Sequence, residues 1–499
     1  MSLARILRRW LPLLVLCAIA YASWQASQSA DTDEANLAAV PYTHELGTPI
    51  VSARRVPETL QAPVADDAIQ PAIDRFLIDL QLAQPGLQTC LTVQVEGREL
   101  AAEGDNLALI PASNQKLLTT FAALEQFGPD YSFDTLVAHD GDIVDGVVEG
   151  NLYFIGGGDP FLVTDDWRTQ YIVHDEDGNE VPPEYPRPWT RLEDLADRLA
   201  ATGITSVTGS LIADESLFDD VRQGPWADRL IAQNQSGPLS ALTVNEGFTR
   251  WDSANPAASL RTKSENPPLN AANVLARLLS EREIGVGSTT VGVRPPATTE
   301  LARISSPPMS AVVTHVNSWS NNYGAEILLK HLGLAISGEG STEAGAAALK
   351  ASLAANPEFN LRGIVIDDGS GLAETDRVTC VFLNKLLTVA GFDSTLRRSL
   401  SIGGERGSLA GRHDETDADG NLWGKTGTLN PATALSGFVD SPEDADSILT
   451  FGYISNADLV DDSVKALQEP FVEELMTYPD APPVSDLDPL DPVLTNTGG

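Results

Sequence analysis

Residues 110–120 read IPASNQKLLTT and place Ser113 three positions ahead of Lys116. The chain has only seven lysines in 499 residues, so one inside an apolar run calls for a reason. Beyond Ser113 the apolar positions follow helical spacing. Leu117, Phe121 and Leu124 share a face, Leu118 and Ala122 lie beside it, and Gly128-Pro129 ends the run. On such a helix positions i and i+3 face the same way, so the amine can approach the hydroxyl. A serine hydroxyl becomes a nucleophile when a base takes its proton. A lysine amine serves as that base where burial or a nearby cation makes its neutral form accessible. The helix N-terminus adds N–H groups that stabilise developing negative charge. Alone, S-x-x-K arises by chance roughly once in one or two chains of this composition, so it needs company.

Two further strings supply it. SWSNNYGAE (318–326) carries Ser320 and Asn322 in S-x-N spacing at a break between helical stretches, where a capping loop is the bland alternative. GKTGT (424–428) brings Lys425, Thr426, Gly427 and Thr428 to the start of a strand-like run. A strand edge offers backbone N–H and C=O groups to a peptide, glycine permits close approach, and lysine with threonine hydroxyls can hold a carboxylate. S-x-x-K, S-x-N and K-T-G in this order mark serine acyl-transfer sites of the penicillin-binding and β-lactamase kind.

Composition narrows the classes. Seventy acidic against 32 basic residues give a net charge of −38, which excludes a nucleic-acid binder needing a basic face. The six histidines are scattered, with no H-E-x-x-H, so neither a metal nor another cofactor is expected. At the N-terminus Arg5, Arg8 and Arg9 precede an apolar run from Leu11, and Ala20-Tyr21-Ala22 has the form of a cleavage site. Residues 1–27 are therefore expected to be a signal peptide or a membrane anchor, the run being short for a span. The protein is then exported, periplasmic or in the cell envelope. Cys90 and Cys380 remain; they could pair, but two separately buried thiols are the simpler expectation.

The rest of the chain sorts by texture into an acidic linker (28–66), a first catalytic part (67–131), inserted material rich in short strands and turns (132–300), a second catalytic part (301–475) and a disordered tail (476–499). LTVQVEG (91–97) and GIVIDD (363–368) read as strands. LWGKTGTL, ALSGFVD and SILTFGYIS read as three consecutive antiparallel strands.

PASNQKLLTT, GNLYFIGGGDP, SWSNNYGAEILLKHLG, DDGSGL, LSIGGERGSLAGR and WGKTGTLNPATALSGFV, in this order, resemble segments of the serine D-alanyl-D-alanine carboxypeptidase/endopeptidase family, the low-molecular-mass class C penicillin-binding proteins. The resemblance covers roughly residues 70 to 470. It implies an α+β fold: a penicillin-binding/β-lactamase-like transpeptidase domain, with an antiparallel sheet flanked by helices plus a helical subdomain, interrupted by inserted β-rich domains. The long gap between Ser113 and Ser320 is where such insertions fall. The implied substrates are peptidoglycan stem peptides ending in D-Ala-D-Ala, and the implied inhibitors are β-lactams. Implied roles are nucleophile for Ser113, base for Lys116, proton relay for Ser320 and substrate and lysine orientation for Asn322. Lys425, Thr426, Gly427 and Thr428 would bind substrate, and the backbone N–H groups of Ser113 and Thr428 would form the oxyanion hole. No nucleic acid is implied; a peripheral membrane association depends on the leader. Asn321 stands where aspartate is usual, and Ala373-Glu374 replaces a serine-arginine pair, leaving Arg377 as a compensating candidate. The competing readings are a serine β-lactamase, for which no E-x-x-L-N is present, and a non-catalytic wall-binding module.

Overall fold

The computed structural model of the protein describes residues 60–95, 97–171, 185–252, 260–441 and 448–480, with Tyr21 and the short pieces 42–44, 173–174, 180–181 and 494–496. In chain order, helix α1 (Gln61–Ala83) leads into strands β1 (Gln88–Val95) and β2 (Arg98–Glu103). A 3-10 turn at Ala112–Asn114 opens α2 (Gln115–Phe127). Strands β3 (Asp134–His139), β4 (Asp142–Val144), β5 (Val147–Glu149) and β6 (Leu152–Ile155) follow. Next come α3 (Leu192–Ala201), β7 (Ser206–Asp214), α4 (Pro267–Ser280), β8 (Gly285–Val291) and β9 (Thr299–Ser305). The chain turns helical in α5 (Met309–Ser318), α6 (Asn322–Ser337), α7 (Thr342–Ala355) and α8 (Cys380–Ala390). It closes with β10 (Ser401–Ile402), β11 (Leu422–Leu429), β12 (Ala432–Asp440), β13 (Ile448–Asn456) and α9 (Gln468–Leu475).

The catalytic-type sheet has six antiparallel strands in the order β10-β11-β12-β13-β1-β2. The three C-terminal runs form the expected meander, and β1 adds to it by pairing Gln88 with Asn456. Both faces are covered, which is why β1 and β12 lack a clean polar/apolar alternation. On one face α1 and α9 pack through Phe76, stacked on Phe471 with ring centroids 4.0 Å apart. On the other, Leu117 and Leu118 of α2 and Phe382, Leu383 and Leu387 of α8 meet Ala434, Phe438 and Ile454. The architecture is the α+β arrangement expected from the sequence.

The region between α2 and α5 builds its own seven-stranded sheet, ordered β9-β3-β6-β7-β5-β4, with β8 also beside β7. It is mixed: β7 runs parallel to β5, β6 and β8, while β3 is antiparallel to β6 and β9. Parallel neighbours need crossover connections, and α3 and α4 supply them. The strand-and-turn texture did not anticipate these helices. Their signal was Leu192, Leu195, Ala196 and Leu199 at helical spacing, and Ala271, Ala272, Leu275, Leu278 and Leu279 after the Asn266 cap. Strand β9 carries the sheet through Ser305, and α1 begins at Gln61, so both overrun the divisions at 300 and 66.

Three further expectations need correction. GIVIDD is not a strand: within it only Val365 bridges, to Arg377, and the backbone N–H of Asp367 is taken by the Asp376 carboxylate. The tail is ordered at its start, because Met476 and Tyr478 are buried and the Tyr478 hydroxyl donates to Asp66. Separately, Leu494–Asn496 pairs antiparallel with Tyr42–His44. The leader (1–27, except Tyr21), most of the linker and residues 481–493 and 497–499 lie outside the described residues. Finally, Cys90 in β1 and Cys380 at the start of α8 are not separate thiols but a disulfide, with Cα atoms 5.7 Å apart. The helix start lies directly under the strand, a proximity hidden by 290 residues of separation. Cys90→Ala/Cys380→Ala is expected to lower the unfolding free energy by about 2–5 kcal/mol. Urea denaturation of parent and double variant measures this; coincident midpoints would contradict it.

Candidate active site

Ser113 occupies the 3-10 turn ahead of α2, and its two polar successors anchor that turn from inside the protein. Asn114 and Gln115 have no exposed surface. The Asn114 amide donates to Ser436 Oγ at 2.9 Å, and the Gln115 amide donates to the Asp368 carbonyl at 3.3 Å. The preceding Ala112 is held at φ +47°. Gly371 must be glycine, since a Cβ there would come within 1.8 Å of the Ala112 carbonyl oxygen.

Lys116 is fully buried and its Nζ reaches three acceptors: Ser113 Oγ at 3.0 Å, Asn322 Oδ1 at 2.6 Å and the Ser370 carbonyl at 2.6 Å. Burial pulls its pKa down to about 7, against the opposing charges of Asp368, Glu326 and Asp376. A neutral amine in contact with the Ser113 hydroxyl is thus accessible near neutral pH. Asp368 itself opens the DGSG turn, and Asp376 accepts the N–H of Asp367 just ahead of it. Glu326 Oε1 accepts the N–H groups of Gly369 and Ser370 at 3.1 and 2.9 Å, and burial lifts its pKa to about 8. Asp368 accepts from the Gly371 and Ala373 backbones and from the Trp226 indole at 3.0 Å. Sequence reading missed Glu326; an acid on the apolar α6 was the available signal.

Ser320 lies in the break between α5 and α6 at φ +54°, and its Oγ accepts from Lys425 Nζ at 2.9 Å. Lys425 also donates to the Thr426 carbonyl at 2.8 Å. It too is fully buried, and its pKa is driven well below the ordinary value by burial and then by the Lys116 charge. Asn322 starts α6 and donates its amide to the Gln235 carbonyl at 2.7 Å. Strand β10 covers β11 only at Trp423 and Gly424, so among the described residues no strand pairs the β11 edge from Lys425 onward on that side. Thr426 Oγ1 lies 2.7 Å from Ser408 Oγ.

Ser113, Ser320, Asn322, Thr426 and Thr428 line one cavity of about 650 Å³. Lys116 and Lys425 sit beneath it, each bonded to one of its serines, and Gly427 packs behind Ser113. All eight residues singled out from sequence are therefore brought together. The cavity's opposite wall carries Arg229, Leu230, Gln233 and Gln235 from the region between α2 and α5. Arg377 does not compensate for the missing serine-arginine pair: its guanidinium is tied to the Glu374 and Asp376 carbonyls. Arg229 lies on that wall instead, in an ion pair with Glu374. Among the described residues, no group of three or more His, Cys, Asp or Glu side chains could hold a metal ion.

Comparison with known proteins gives a consistent result. The sequence model of the D-Ala-D-Ala carboxypeptidase 3 (S13) family matches residues 70–259 and 252–477. A D-alanyl-D-alanine carboxypeptidase of Actinomadura sp. (strain R39) is 28% identical over 466 residues, covering 76% of this chain and 80% of that protein. A carboxypeptidase of Mycobacterium tuberculosis is 26% identical over 422 residues, covering 80% and 84%. The fold is that of penicillin binding protein 4 from Haemophilus influenzae, with a TM-score of 0.65 at 20% identity over 80% of this chain and 97% of that one.

Gly427 offers a direct check of the geometry. A Cβ there would lie 2.9 Å from the Pro111 carbonyl oxygen, 3.1 Å from Ala434 Cβ and 3.3 Å from the Ser113 nitrogen. Gly427→Ala is expected to cost about 1–3 kcal/mol in stability through overpacking, read as a lowered thermal midpoint. An unchanged midpoint would show the strand free to move away from the serine turn.

Proposed function

Because the chain belongs to the D-Ala-D-Ala carboxypeptidase 3 (S13) family, we propose that Ser113 is the nucleophile through which it cleaves D-alanyl-D-alanine peptides of the cell wall. The protein is a serine-type D-alanyl-D-alanine carboxypeptidase/endopeptidase, a hydrolase. What carries the assignment of roles is the pair of contacts on either side of the cavity, Lys116 Nζ to Ser113 Oγ at 3.0 Å and Lys425 Nζ to Ser320 Oγ at 2.9 Å.

In this reading neutral Lys116 takes the Ser113 proton as Oγ attacks the carbonyl between the two D-alanines. The tetrahedral oxyanion lies against the backbone N–H groups of Ser113 and Thr428. The C–N bond then breaks, and the departing amine receives the proton that Lys116 took, relayed through Ser320, which Lys425 orients. Asn322 holds Lys116 from one side and the substrate amide from the other. Lys425, Thr426 and Thr428 bind the terminal carboxylate, and Gly427 lets the peptide lie close along the β11 edge. Water then attacks the ester, the bond between the acyl carbon and Ser113 Oγ breaks, and the water's proton passes to Oγ. β-Lactams, which present a strained amide in the same place, acylate Ser113. The substrate lies outside the cytoplasm, so residues 1–27 act as an export leader. Among the described residues no helix is long and apolar enough to cross a membrane.

Incubation with labelled benzylpenicillin, followed by intact mass, is expected to give a stable adduct on Ser113 that is absent in Ser113→Ala. Rapid turnover of the adduct would mark a β-lactamase, and its absence a wall-binding module. Acylation should fall as pH drops through about 7, where Lys116 takes up its proton and ceases to be a base. Lys116→Ala should slow it by about 10²–10⁴-fold; a rate within tenfold of parent would remove Lys116 from the role of base.

A further inference from the structure

Ser320 alone among the candidate catalytic side chains stands in the left-handed backbone region, at φ +54°. A residue other than glycine is strained there and persists where its surroundings fix it. Both of its neighbours reach away from the cavity into the region between α2 and α5. The Trp319 ring lies 4.9 Å from the guanidinium carbon of Arg187, which is itself 4.2 Å from the Tyr171 ring. On the other side, the Asn321 amide donates to Glu246 Oε1 at 2.9 Å. Glu246 is 8% exposed and is itself held at φ +52°.

The Asn321 side chain has two jobs. Its Oδ1 caps α6 by accepting the Gly324 N–H at 2.7 Å, and its Nδ2 makes the bond to Glu246. An aspartate would keep the cap and lose the second bond, setting one carboxylate against another. Only the second job demands asparagine. We infer that Glu246 is a positioning residue for Ser320, acting through Asn321, and that the asparagine at 321 is the hydrogen-bonding complement of that carboxylate. This rests on the reading of Ser113 and Ser320 as active-site groups.

The groups facing Glu246 are the guanidiniums of Arg187 and Arg261 and the phenols of Tyr171 and Tyr323. Burial raises the Glu246 pKa while the two arginines and Asn321 hold it back. In Asn321→Asp the two carboxyls would share a proton in mild acid. They would repel once both ionise, releasing Ser320 from its place. Asn321→Asp/Glu246→Gln keeps the parent's net charge and reverses the donor and acceptor, restoring the link.

The test compares benzylpenicillin acylation of Ser113 and D-alanine release in parent, Asn321→Asp and the double variant, from mildly acidic to mildly alkaline pH. Relative to parent, Asn321→Asp should be nearly unaffected in acid and fall by roughly 10–100-fold as pH rises. The double variant should return to within about threefold of parent throughout. The inference is overturned if Asn321→Asp tracks the parent at every pH, if it loses the same factor at every pH, or if the double variant remains as impaired. A parent that forms no Ser113 adduct would sink the site assignment and this inference with it.

Discussion

Two lysine side chains withdrawn completely from water, Lys116 and Lys425, impose the convergence on which the site depends. A buried amine keeps its solvation only through hydrogen bonds, and leaving one unpaired would cost several kcal/mol. Lys116 draws its acceptors from the Ser113 turn, from the start of α6 and from the DGSG turn, three pieces of chain far apart in sequence. Lys425 draws one of its two from the break before α6. Satisfying two buried amines and assembling the cavity are thus the same event. The same burial lowers proton affinity, so the force that gathers the residues also makes an amine available as a base.

The region between α2 and α5 is part of that assembly. Its Gln235 carbonyl holds the Asn322 amide, its Trp226 indole bonds to Asp368 of the DGSG turn, and its Arg229 pairs with Glu374 on the cavity wall. Glu246 and Arg187 grip the two residues flanking Ser320. The stretch between β7 and α4, whose Trp226 and Leu230 pack with Ala112, Tyr323 and Leu372, therefore furnishes one side of the cleft. Variation at Arg229, Leu230 or Gln233 would reshape that wall of the cleft.

The sequence exposes some of these features more readily than others. Ser113, Lys116, Ser320, Asn322 and Lys425 to Thr428 stand out because chemistry dictates their types and spacing within short strings, and the last three strands because hydrophobic runs alternate with turn residues. What escaped depends on distant contacts. Cys90 and Cys380 carry no local sign of their pairing. Helices α3 and α4 were masked by the turn-rich stretches around them. GIVIDD looks like a strand but has no neighbouring strand, and its polar groups are taken by Asp376 and Arg377. Glu246 is one acid among seventy in the sequence, and only its burial opposite Asn321 distinguishes it.

The six-stranded sheet begins with β1 and β2 and is completed by β10 to β13, so Gln88 waits for Asn456 while everything between them is synthesised. Contacts this distant in sequence are intrinsically slow to form. Ser113 belongs to the early portion and Lys425 to the late one, so a partly emerged chain has a serine but no closed pocket around it. Closure of the pocket is consequently a late event built into chain connectivity: the strand that carries Lys425 reaches the serine turn only once the two ends of the sheet have met.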